Sequence, residues 1–272
     1  MAGEPGRSPS TSGGAEPTER SPAPDELAAR LRAAGCVYAD DEAALLLAGA
    51  GTPARLEQLV RRRVDGEPLE VLLGWAELAG RRLAVAPGVF VPRARTALLA
   101  RLAGSHSHPD AVLVELCCGV GPVLALAVAG EAHGVDTSAA ALTCARRNAP
   151  HASLHRGDLY DALPRRLRGR VDVLAANPPY VPSRLVERMP REARDHEPRA
   201  ALDGGPDGSA VARRVVAGAP DWLAPGGVLL VETADPEAVA AAMGRVGLAA
   251  HVLADGPSGG RVVRGRSPRD GP

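Results

Sequence analysis

The residues with the clearest chemical meaning stand in a row: Asn177, Pro178, Pro179 and Tyr180. An amide nitrogen, or an amine on an aromatic ring, is a poor nucleophile because its lone pair is delocalised. The side-chain carbonyl of Asn177 and the backbone carbonyl of Pro178 can each accept one N–H from such a group. The prolines fix φ and hold these carbonyls outward, while Tyr180 offers a flat surface to a planar group. The motif therefore predicts a site that positions a planar NH₂ group.

A glycine-containing turn is the second chemical feature. The apolar run 112–116 leads into Gly119 and Gly121, and the next apolar run ends at Asp136. Glycines let the backbone approach a ligand closely, and a carboxylate at the second strand end can accept both hydroxyls of a ribose. Leu124 stands where the dinucleotide fingerprint has Gly or Ala, which disfavours a nicotinamide cofactor. A nucleoside-containing ligand and a tight turn without any ligand both remain open on this pattern alone.

Two more acidic residues are candidates at the same site. Glu115 precedes the glycine turn, and we assign it to the cofactor site. Asp158 follows Gly157 at the end of a predicted third strand, where it could bind an adenine or cap the next segment. The histidines and cysteines lack metal-ligand spacing, so we expect no metal.

Predicted strands place these residues at one edge. The runs 112–116, 133–135, 171–175 and 227–231 are β-rich and alternate with helix-like segments. This alternation is typical of a doubly wound, mostly parallel sheet, in which ligands bind at the carboxyl ends of the strands. We predict an α/β, Rossmann-like domain over residues 105–266.

The segments outside this domain have different compositions. Residues 1–24 are rich in Gly, Ser, Pro and Glu, which predicts a disordered extension. Over residues 25–80, leucines recur near one helical face, which predicts a small helical domain. Residues 267–272 are interpreted as a short tail.

A linker is predicted between the two domains, at residues 81–104. Short β-rich runs at 83–85 and 89–91 flank Ala-Pro-Gly at 86–88. Pro and Gly favour a turn, so the segment is predicted to form a hairpin.

Composition gives no general electrostatic attraction to a nucleic acid or a membrane, although a local basic face remains possible. The formal net charge is +0 and aromatic residues make up 2% of the chain, so nothing predicts a general attraction to nucleic acid or to a membrane. No apolar run approaches the ~20 residues that span a bilayer. The four cysteines form no C-x-x-C pair and the N-terminus does not resemble a signal peptide, so we expect reduced thiols in the cytoplasm.

Taken together, the motifs resemble those of the PrmC/HemK family, the N5-glutamine methyltransferases that act on the Gly-Gly-Gln loop of bacterial peptide chain release factors. The resemblance extends from about Asp25 to Arg266 and includes the segments 66–69, 87–89, 91–93, 136–138, 146–149, 157–159, 177–182, 197–205 and 261–265. Asn-Pro-Pro-Tyr also occurs in adenine-N6 methyltransferases. The Glu-Pro-Arg-x-Ala-Leu-Asp-Gly-Gly segment is more particular to the glutamine enzymes.

The resemblance implies a class I methyltransferase domain with a seven-stranded sheet, S-adenosylmethionine as donor and a glutamine amide as acceptor. Because that donor is an activated sulfonium, alignment matters more than a strong general base. The resemblance also implies that the helical domain grips the release factor. It assigns Thr96 and Asn177 to the cofactor site, and Glu197 and Arg199 to the substrate site, to which Asn177 and Tyr180 also belong.

The chain departs from this family at two places. Arg93 is followed by Ala94, Arg95, Thr96 and Ala97 where the family has Pro-Glu-Thr-Glu, and one glycine of the turn is a cysteine. We consider three hypotheses: a glutamine methyltransferase whose partner is a release factor or another glutamine-bearing translation protein, a nucleic-acid amino methyltransferase, and a catalytically decayed binding protein. The second needs a basic, aromatic-lined cleft, so the composition favours the first.

Overall fold

The computed structural model describes residues 23–269, which divide into two compact units, residues 23–64 and residues 65–269. The predicted N-terminal extension lies outside the described residues except for its last two positions. Among the described residues, no helix is both long and apolar enough to cross a membrane.

The smaller unit consists of three helices in its described part: α1 (Pro24–Ala33), α2 (Ala39–Ala50) and α3 (Pro53–Val64). Leucines on one face of each helix are buried, including Leu31, Leu46 and Leu59. An ion pair between Glu42 and Arg63, with 2.6 Å between carboxylate oxygen and guanidinium nitrogen, links α2 to α3. The predicted helical character of this region therefore agrees with the structure.

The larger unit alternates helices and strands. Its elements are α4 (Leu69–Leu73), β1 (Trp75–Leu78), β2 (Arg81–Ala84), α5 (Thr96–His106), β3 (Val112–Leu116), α6 (Pro122–Leu126), β4 (Glu131–Asp136), α7 (Ala139–Asn148), β5 (Ser153–Arg156), β6 (Val171–Ala176), α8 (Arg191–His196), α9 (Arg199–Leu202), α10 (Ala210–Gly218), β7 (Leu223–Glu232), α11 (Pro236–Arg245), β8 (Ala249–Asp255) and β9 (Gly260–Arg266). Short 3₁₀ turns occupy Leu159–Ala162, Arg165–Leu167, Ser183–Arg188 and Ala219–Asp221.

Seven strands of the described chain form one sheet in the order β5-β4-β3-β6-β7-β9-β8. Neighbours from β5 to β7 are parallel, and β9 is antiparallel to both β7 and β8. The predicted mostly parallel, seven-stranded sheet is thus confirmed. Strand order reverses between β3 and β6, the place where open α/β sheets bind ligands.

Helices cover both faces of this sheet, which explains why its central strands are almost wholly apolar. All five residues of β3 are buried. On one face Leu99 of α5 joins the same cluster as Leu113 of β3. On the other, Val215 of α10 joins the cluster of Leu174 of β6. The strands are therefore held rigidly, and their carboxyl ends form a fixed edge.

The hairpin lies earlier in the chain than predicted. Its strands are β1 and β2, joined by Ala79 and Gly80, which both have positive φ (50° and 75°). Two consecutive positive φ values suit a two-residue hairpin turn. The predicted second strand, 89–91, instead belongs to an irregular segment before α5, where Pro87 and Pro92 lack the N–H groups that a ladder needs.

The division between the units also differs from the predicted domain end at residue 80. Residues 65–80 belong to the larger unit, because Leu78 and Leu83 of the hairpin pack against Ala125 of α6. The smaller helical unit accordingly ends at Val64.

Candidate active site

A cavity of about 330 Å³ lies at the carboxyl ends of β3, β4 and β6. We call it the strand-edge cavity. Its lining includes Gly119, Asp136, Asp158, Asn177 and Tyr180. Leu116 pairs with Ala176 at the ends of β3 and β6, so the glycine turn and the Asn-Pro-Pro-Tyr loop leave the sheet side by side. The structure thus brings the two predicted motifs into one cavity.

The turn after β3 has a left-handed backbone at several positions. Gly119 and Gly121 have φ of 53° and 75°, and a Cβ on Gly119 would meet no atom of the described chain within 4 Å. The backbone of Gly119 is therefore not covered by a side chain, which allows a ligand to approach it closely. Cys117, where the resemblance predicts a glycine, also has a positive φ, 51°. A non-glycine residue is strained in this conformation.

Glu115 is buried in this turn rather than open to a ligand. Its carboxylate oxygens accept hydrogen bonds from the backbone N–H groups of Val123 (3.2 Å) and Leu124 (3.0 Å) at the start of α6. Burial raises the pKa of Glu115 to about 8, against the opposing effect of these two bonds. The residue borders the cavity, but its contacts are those of a group that holds the glycine turn in place.

Asp136 lies at the end of β4 with its carboxylate beside the glycine turn. One oxygen accepts the N–H of Gly119 (2.8 Å) and the other accepts the N–H of Ser138 (2.8 Å). A carboxylate has about four acceptor positions, so two remain for a ligand. Its place in the lining keeps it available for the predicted contact with ribose.

Asp158 forms an ion pair with Arg214 of α10, with 2.7 Å between the charged atoms. Both side chains are about half exposed, and both residues line the cavity. Arg214 was not among the predicted site residues. Its position in the middle of an amphipathic helix gave no local signal.

The loop from Asn177 to Tyr180 is held by the segment that follows Leu202. Val181 donates its N–H to the Leu202 carbonyl (3.0 Å), and Gly204 donates to the Val181 carbonyl (2.8 Å). A Cβ on Gly204 would lie 2.6 Å from the Pro179 carbonyl oxygen and 2.5 Å from the Gly208 carbonyl oxygen. Only glycine fits between these backbones. The most family-specific part of the sequence therefore fixes the predicted catalytic loop.

Replacing Gly204 with alanine should displace this loop. The added methyl group must push backbone atoms apart, so we expect the free energy of unfolding to fall by about 1–3 kcal/mol, together with a loss of methyl transfer. Urea unfolding and a transfer assay would measure both effects. Gly256→Ala is the matched control, because a Cβ there meets no atom of the described chain within 4 Å. Equal stabilities for the two variants would contradict the packing argument.

Glu197 and Arg199 do not lie where a substrate contact was predicted. The Glu197 carboxylate is buried, accepts the N–H of Val91 (3.2 Å) and pairs with Arg93 (2.7 Å). Arg199 points to the surface and pairs with Glu187 (2.8 Å). Neither belongs to the lining of the cavity as the described residues form it. The contacts of Glu197 are those of a residue that anchors the segment before α5, and the substrate-binding role of both residues stays a prediction.

The altered segment at the start of α5 contacts Asn177, Tyr180 and Glu232 through Thr96 and Arg95. The Thr96 hydroxyl oxygen lies 3.4 Å from the Asn177 amide nitrogen. Arg95 approaches both the Tyr180 ring, 5.5 Å from guanidinium carbon to ring centroid, and Glu232, 3.5 Å from Nε to the carboxylate. Glu232 ends β7 and was not predicted as a site residue. In the sequence, the one feature that could have indicated Glu232 is that it is a charged residue at the end of an apolar strand.

Burial strongly affects Glu232, whose side chain is 2% exposed. It raises the pKa of Glu232 from near 4.5 to about 7, although Thr96 and Arg95 act in the opposite direction. Burial also raises the pKa of Tyr180.

This pKa shift predicts a pH-dependent stability difference. Between pH 4.5 and 7 the unfolded chain has lost the Glu232 proton while the folded chain retains it, so folding becomes less favourable as pH rises. As pH rises from 4.5 to 7, the free energy of unfolding of the wild type should fall by on the order of 3 kcal/mol relative to that of Glu232→Gln. Urea unfolding of both proteins at several pH values measures the difference. Parallel stability curves would show that Glu232 does not titrate in this way.

No protein-family model matches the chain. The chain is 36% identical over 220 residues to release factor glutamine methyltransferase of Geobacter sulfurreducens, and this match covers 76% of each chain. It is 43% identical over 192 residues to release factor glutamine methyltransferase of Mycolicibacterium smegmatis, and that match covers 67% of each chain. It is also 39% identical over 215 residues to 4-amino-L-phenylalanine/4-methylamino-L-phenylalanine methyltransferase of Streptomyces pristinaespiralis, covering 74% of this chain and 73% of that one.

Among solved structures, a methyltransferase from Pyrococcus furiosus matches with a TM-score of 0.50 at 16% identity, covering 68% of this chain and 89% of that one. At this identity the likeness concerns the fold.

The strand order, the cavity at the sheet edge and these relatives define an S-adenosylmethionine-dependent methyltransferase of class I. Within that class, the chain belongs to the release factor glutamine methyltransferase family.

Proposed function

We propose that this chain transfers the methyl group of S-adenosylmethionine to the side-chain amide nitrogen (N5) of the glutamine in the Gly-Gly-Gln motif of a peptide chain release factor. The observation that carries the proposal is the meeting of the Asn177 loop and the glycine turn in one cavity at the sheet edge. The named activity of the Geobacter and Mycolicibacterium relatives supports the choice of acceptor.

The residues that line the cavity fit this donor. The open backbone at Gly119 allows close approach, Asp136 retains acceptor positions for a ribose, and Asp158 is a candidate for the adenine. Apolar neighbours such as Val120 and Leu159 suit the flat base. When bound, the donor supplies a methyl carbon that is already electrophilic because it is attached to a sulfonium.

The chain's own residues have to hold the acceptor nitrogen. The Asn177 side-chain carbonyl and the Pro178 backbone carbonyl each accept one N–H of the glutamine amide. These bonds fix the NH₂ group and stabilise the positive charge that develops on nitrogen as its lone pair leaves the π-system and bonds to the methyl carbon, whose bond to sulfur breaks. One of the two N–H protons is then lost to solvent, which leaves a neutral methylamide. Tyr180 lines the cavity and offers the flat face of its ring to the planar amide.

A second acceptor has one specific observation in its favour. The Streptomyces pristinaespiralis relative is named for methylation of 4-amino-L-phenylalanine, whose amine is also attached to a π-system. The same pair of carbonyls would hold that amine. The Gly-Gly-Gln glutamine remains the main proposal because more of the relatives are named for it.

The partner follows from the acceptor. We propose a release factor, or another glutamine-bearing translation protein, in the cytoplasm, with the helical unit that begins near residue 25 gripping that partner. Neither a nucleic acid nor a membrane is needed for this reaction.

The test is a transfer assay with labelled S-adenosylmethionine. Purified release factor, the same factor with its Gly-Gly-Gln glutamine replaced by alanine, and free 4-amino-L-phenylalanine are offered as separate acceptors. Mass spectrometry should locate one added methyl group on the glutamine of the unaltered factor. Labelling of 4-amino-L-phenylalanine alone would replace the proposal by the second candidate. If the protein binds the cofactor but labels none of these acceptors, both candidate functions are contradicted.

A further inference from the structure

Glu232 occupies an unusual place beside the acceptor loop. Ala176 pairs with Val231 near the ends of β6 and β7, so Asn177, which follows β6, and Glu232, the last residue of β7, lie at the same edge of the sheet. Asn177 lines the cavity, whereas Glu232 lies behind it with a side chain 2% exposed. A carboxylate is thus buried directly behind the predicted catalytic amide.

This buried carboxylate lacks the bonds that normally stabilise one. Neither of its oxygens has a hydrogen-bond partner of ordinary geometry among residues 23–269. The groups facing it are the Thr96 hydroxyl and the Arg95 guanidinium, with the Tyr180 phenol also close enough to feel its charge. An unpaired buried carboxylate is costly, so its retention calls for a specific explanation.

Thr96 connects Glu232 to Asn177. It is the first residue of α5 and is 1% exposed. Its hydroxyl faces Glu232, and its oxygen lies 3.4 Å from the Asn177 amide nitrogen. This contact is at the long end of hydrogen-bond distances, as is common for catalytic contacts that tighten only when substrate binds.

We propose that Glu232 and Thr96 are positioning residues that fix which face of the Asn177 amide is presented to the acceptor nitrogen. Once Glu232 has lost its proton, above about pH 7, its carboxylate can only accept hydrogen bonds, so the Thr96 hydroxyl turns its single proton towards Glu232. The Thr96 oxygen then has only lone pairs to offer Asn177, and it accepts an N–H from the amide nitrogen. The Asn177 carbonyl is thereby left for the substrate N–H.

The reverse orientation would disable the site. With its amide flipped, Asn177 would present an NH₂ group to the substrate NH₂ group, and two donors would face each other. Without Glu232, the Thr96 hydroxyl could donate to the Asn177 carbonyl and favour that flip. Arg95 helps to keep Glu232 in place through its charge, at 3.5 Å.

The chain suits a direct spectroscopic test, because it contains only three side-chain primary amides, Gln58, Asn148 and Asn177. In ¹⁵N-labelled protein each gives one pair of NH₂ signals. Thr96→Val and Glu232→Leu should each shift the Asn177 pair and leave the Gln58 pair in place, whereas Thr96→Ser should keep the Asn177 pair near its wild-type position. Thr143→Val, on the exposed face of α7, is the matched control.

Methyl transfer provides the second readout, and this part rests on the proposed function. Thr96→Val should lower kcat roughly 10- to 100-fold while Thr96→Ser retains most activity, since a small misplacement of a catalytic group can cost up to about 10²-fold. Cofactor affinity, measured by calorimetry, should be unchanged in Glu232→Leu, because Glu232 is not part of the cavity lining formed by the described residues. The Thr96→Val/Glu232→Leu double variant should be no slower than the slower single variant, because both residues act through Asn177.

The results of these experiments distinguish the positioning role of Glu232 and Thr96 from the proposed function. Unshifted Asn177 signals in both Thr96→Val and Glu232→Leu would overturn the positioning role, as would additive kinetic losses. If Glu232→Leu does not fold, the comparison of Thr96→Val with Thr96→Ser decides the question. If the wild type transfers no methyl group to a release factor, the proposed function fails, while the spectroscopic result still decides how Asn177 is held.

Discussion

In the Asn177→Ala variant, kcat for methyl transfer is expected to fall about 10²-fold or more, with cofactor affinity nearly unchanged. The truncated side chain lacks the carbonyl that accepts a substrate N–H, so the acceptor nitrogen loses one of its two fixed bonds. Loss of one preorganised electrostatic partner typically has an effect of this size. Because Asn177 follows the end of β6 and is only partly buried, its removal should leave the sheet intact.

Single-turnover kinetics with saturating cofactor would measure this loss, and calorimetry would measure cofactor binding. Asn148→Ala provides a contrast. Asn148 donates to the Val120 carbonyl (2.8 Å) and the Ala84 carbonyl (3.0 Å), so its loss should lower stability first. Near-normal turnover in Asn177→Ala would remove the central role assigned to that residue.

The sequence predicted the parts of the site that follow directly from strand periodicity. The runs that became β3, β4, β6 and β7 were recognised because parallel strands buried on both faces are continuously apolar. Once those strands are aligned, Gly119, Asp136 and Asn177 must meet at their carboxyl ends. The confirmed fold and the shared cavity therefore rest on local patterns that a single sequence contains.

Features that depend on contacts between distant segments could not be predicted in this way. Glu197 was assigned to substrate because its segment is distinctive, yet its carboxylate pairs with Arg93, 104 positions away. Glu232 was missed because its meaning depends on the alignment of β6 with β7. A residue's type shows which bonds it can form, but only the fold shows which partner it has.

The two departures from the family leave the cavity in place. Cys117 adopts the left-handed backbone that a glycine would adopt at lower cost, and burial raises the pKa of its thiol to about 12, so the thiol remains protonated. Arg95 replaces an acidic residue but lies against Glu232. Its positive charge opposes the cost of burying that carboxylate. These substitutions favour a retained active site over a decayed one.

Asp136→Ala should have the opposite kinetic signature to Asn177→Ala. We expect the cofactor dissociation constant to rise roughly 10- to 100-fold, since a hydrogen bond to a charged group contributes about 1.5–3 kcal/mol. The carboxylate also accepts the N–H groups of Gly119 and Ser138, so its removal loosens the glycine turn as well. At saturating cofactor, kcat should recover most of its wild-type value, because the acceptor loop is untouched.

Asp235→Ala separates ligand binding from general destabilisation. Asp235 is an exposed aspartate that also accepts a backbone N–H, that of Ala238 (3.1 Å), at the start of α11. Its loss should lower stability by roughly 0.5–2 kcal/mol, as removal of a helix cap does, without changing cofactor affinity. Calorimetric titration of both variants with S-adenosylmethionine makes the comparison. If Asp136→Ala binds the cofactor as tightly as Asp235→Ala does, the ribose is held by another group and the assignment of the β4 end is wrong.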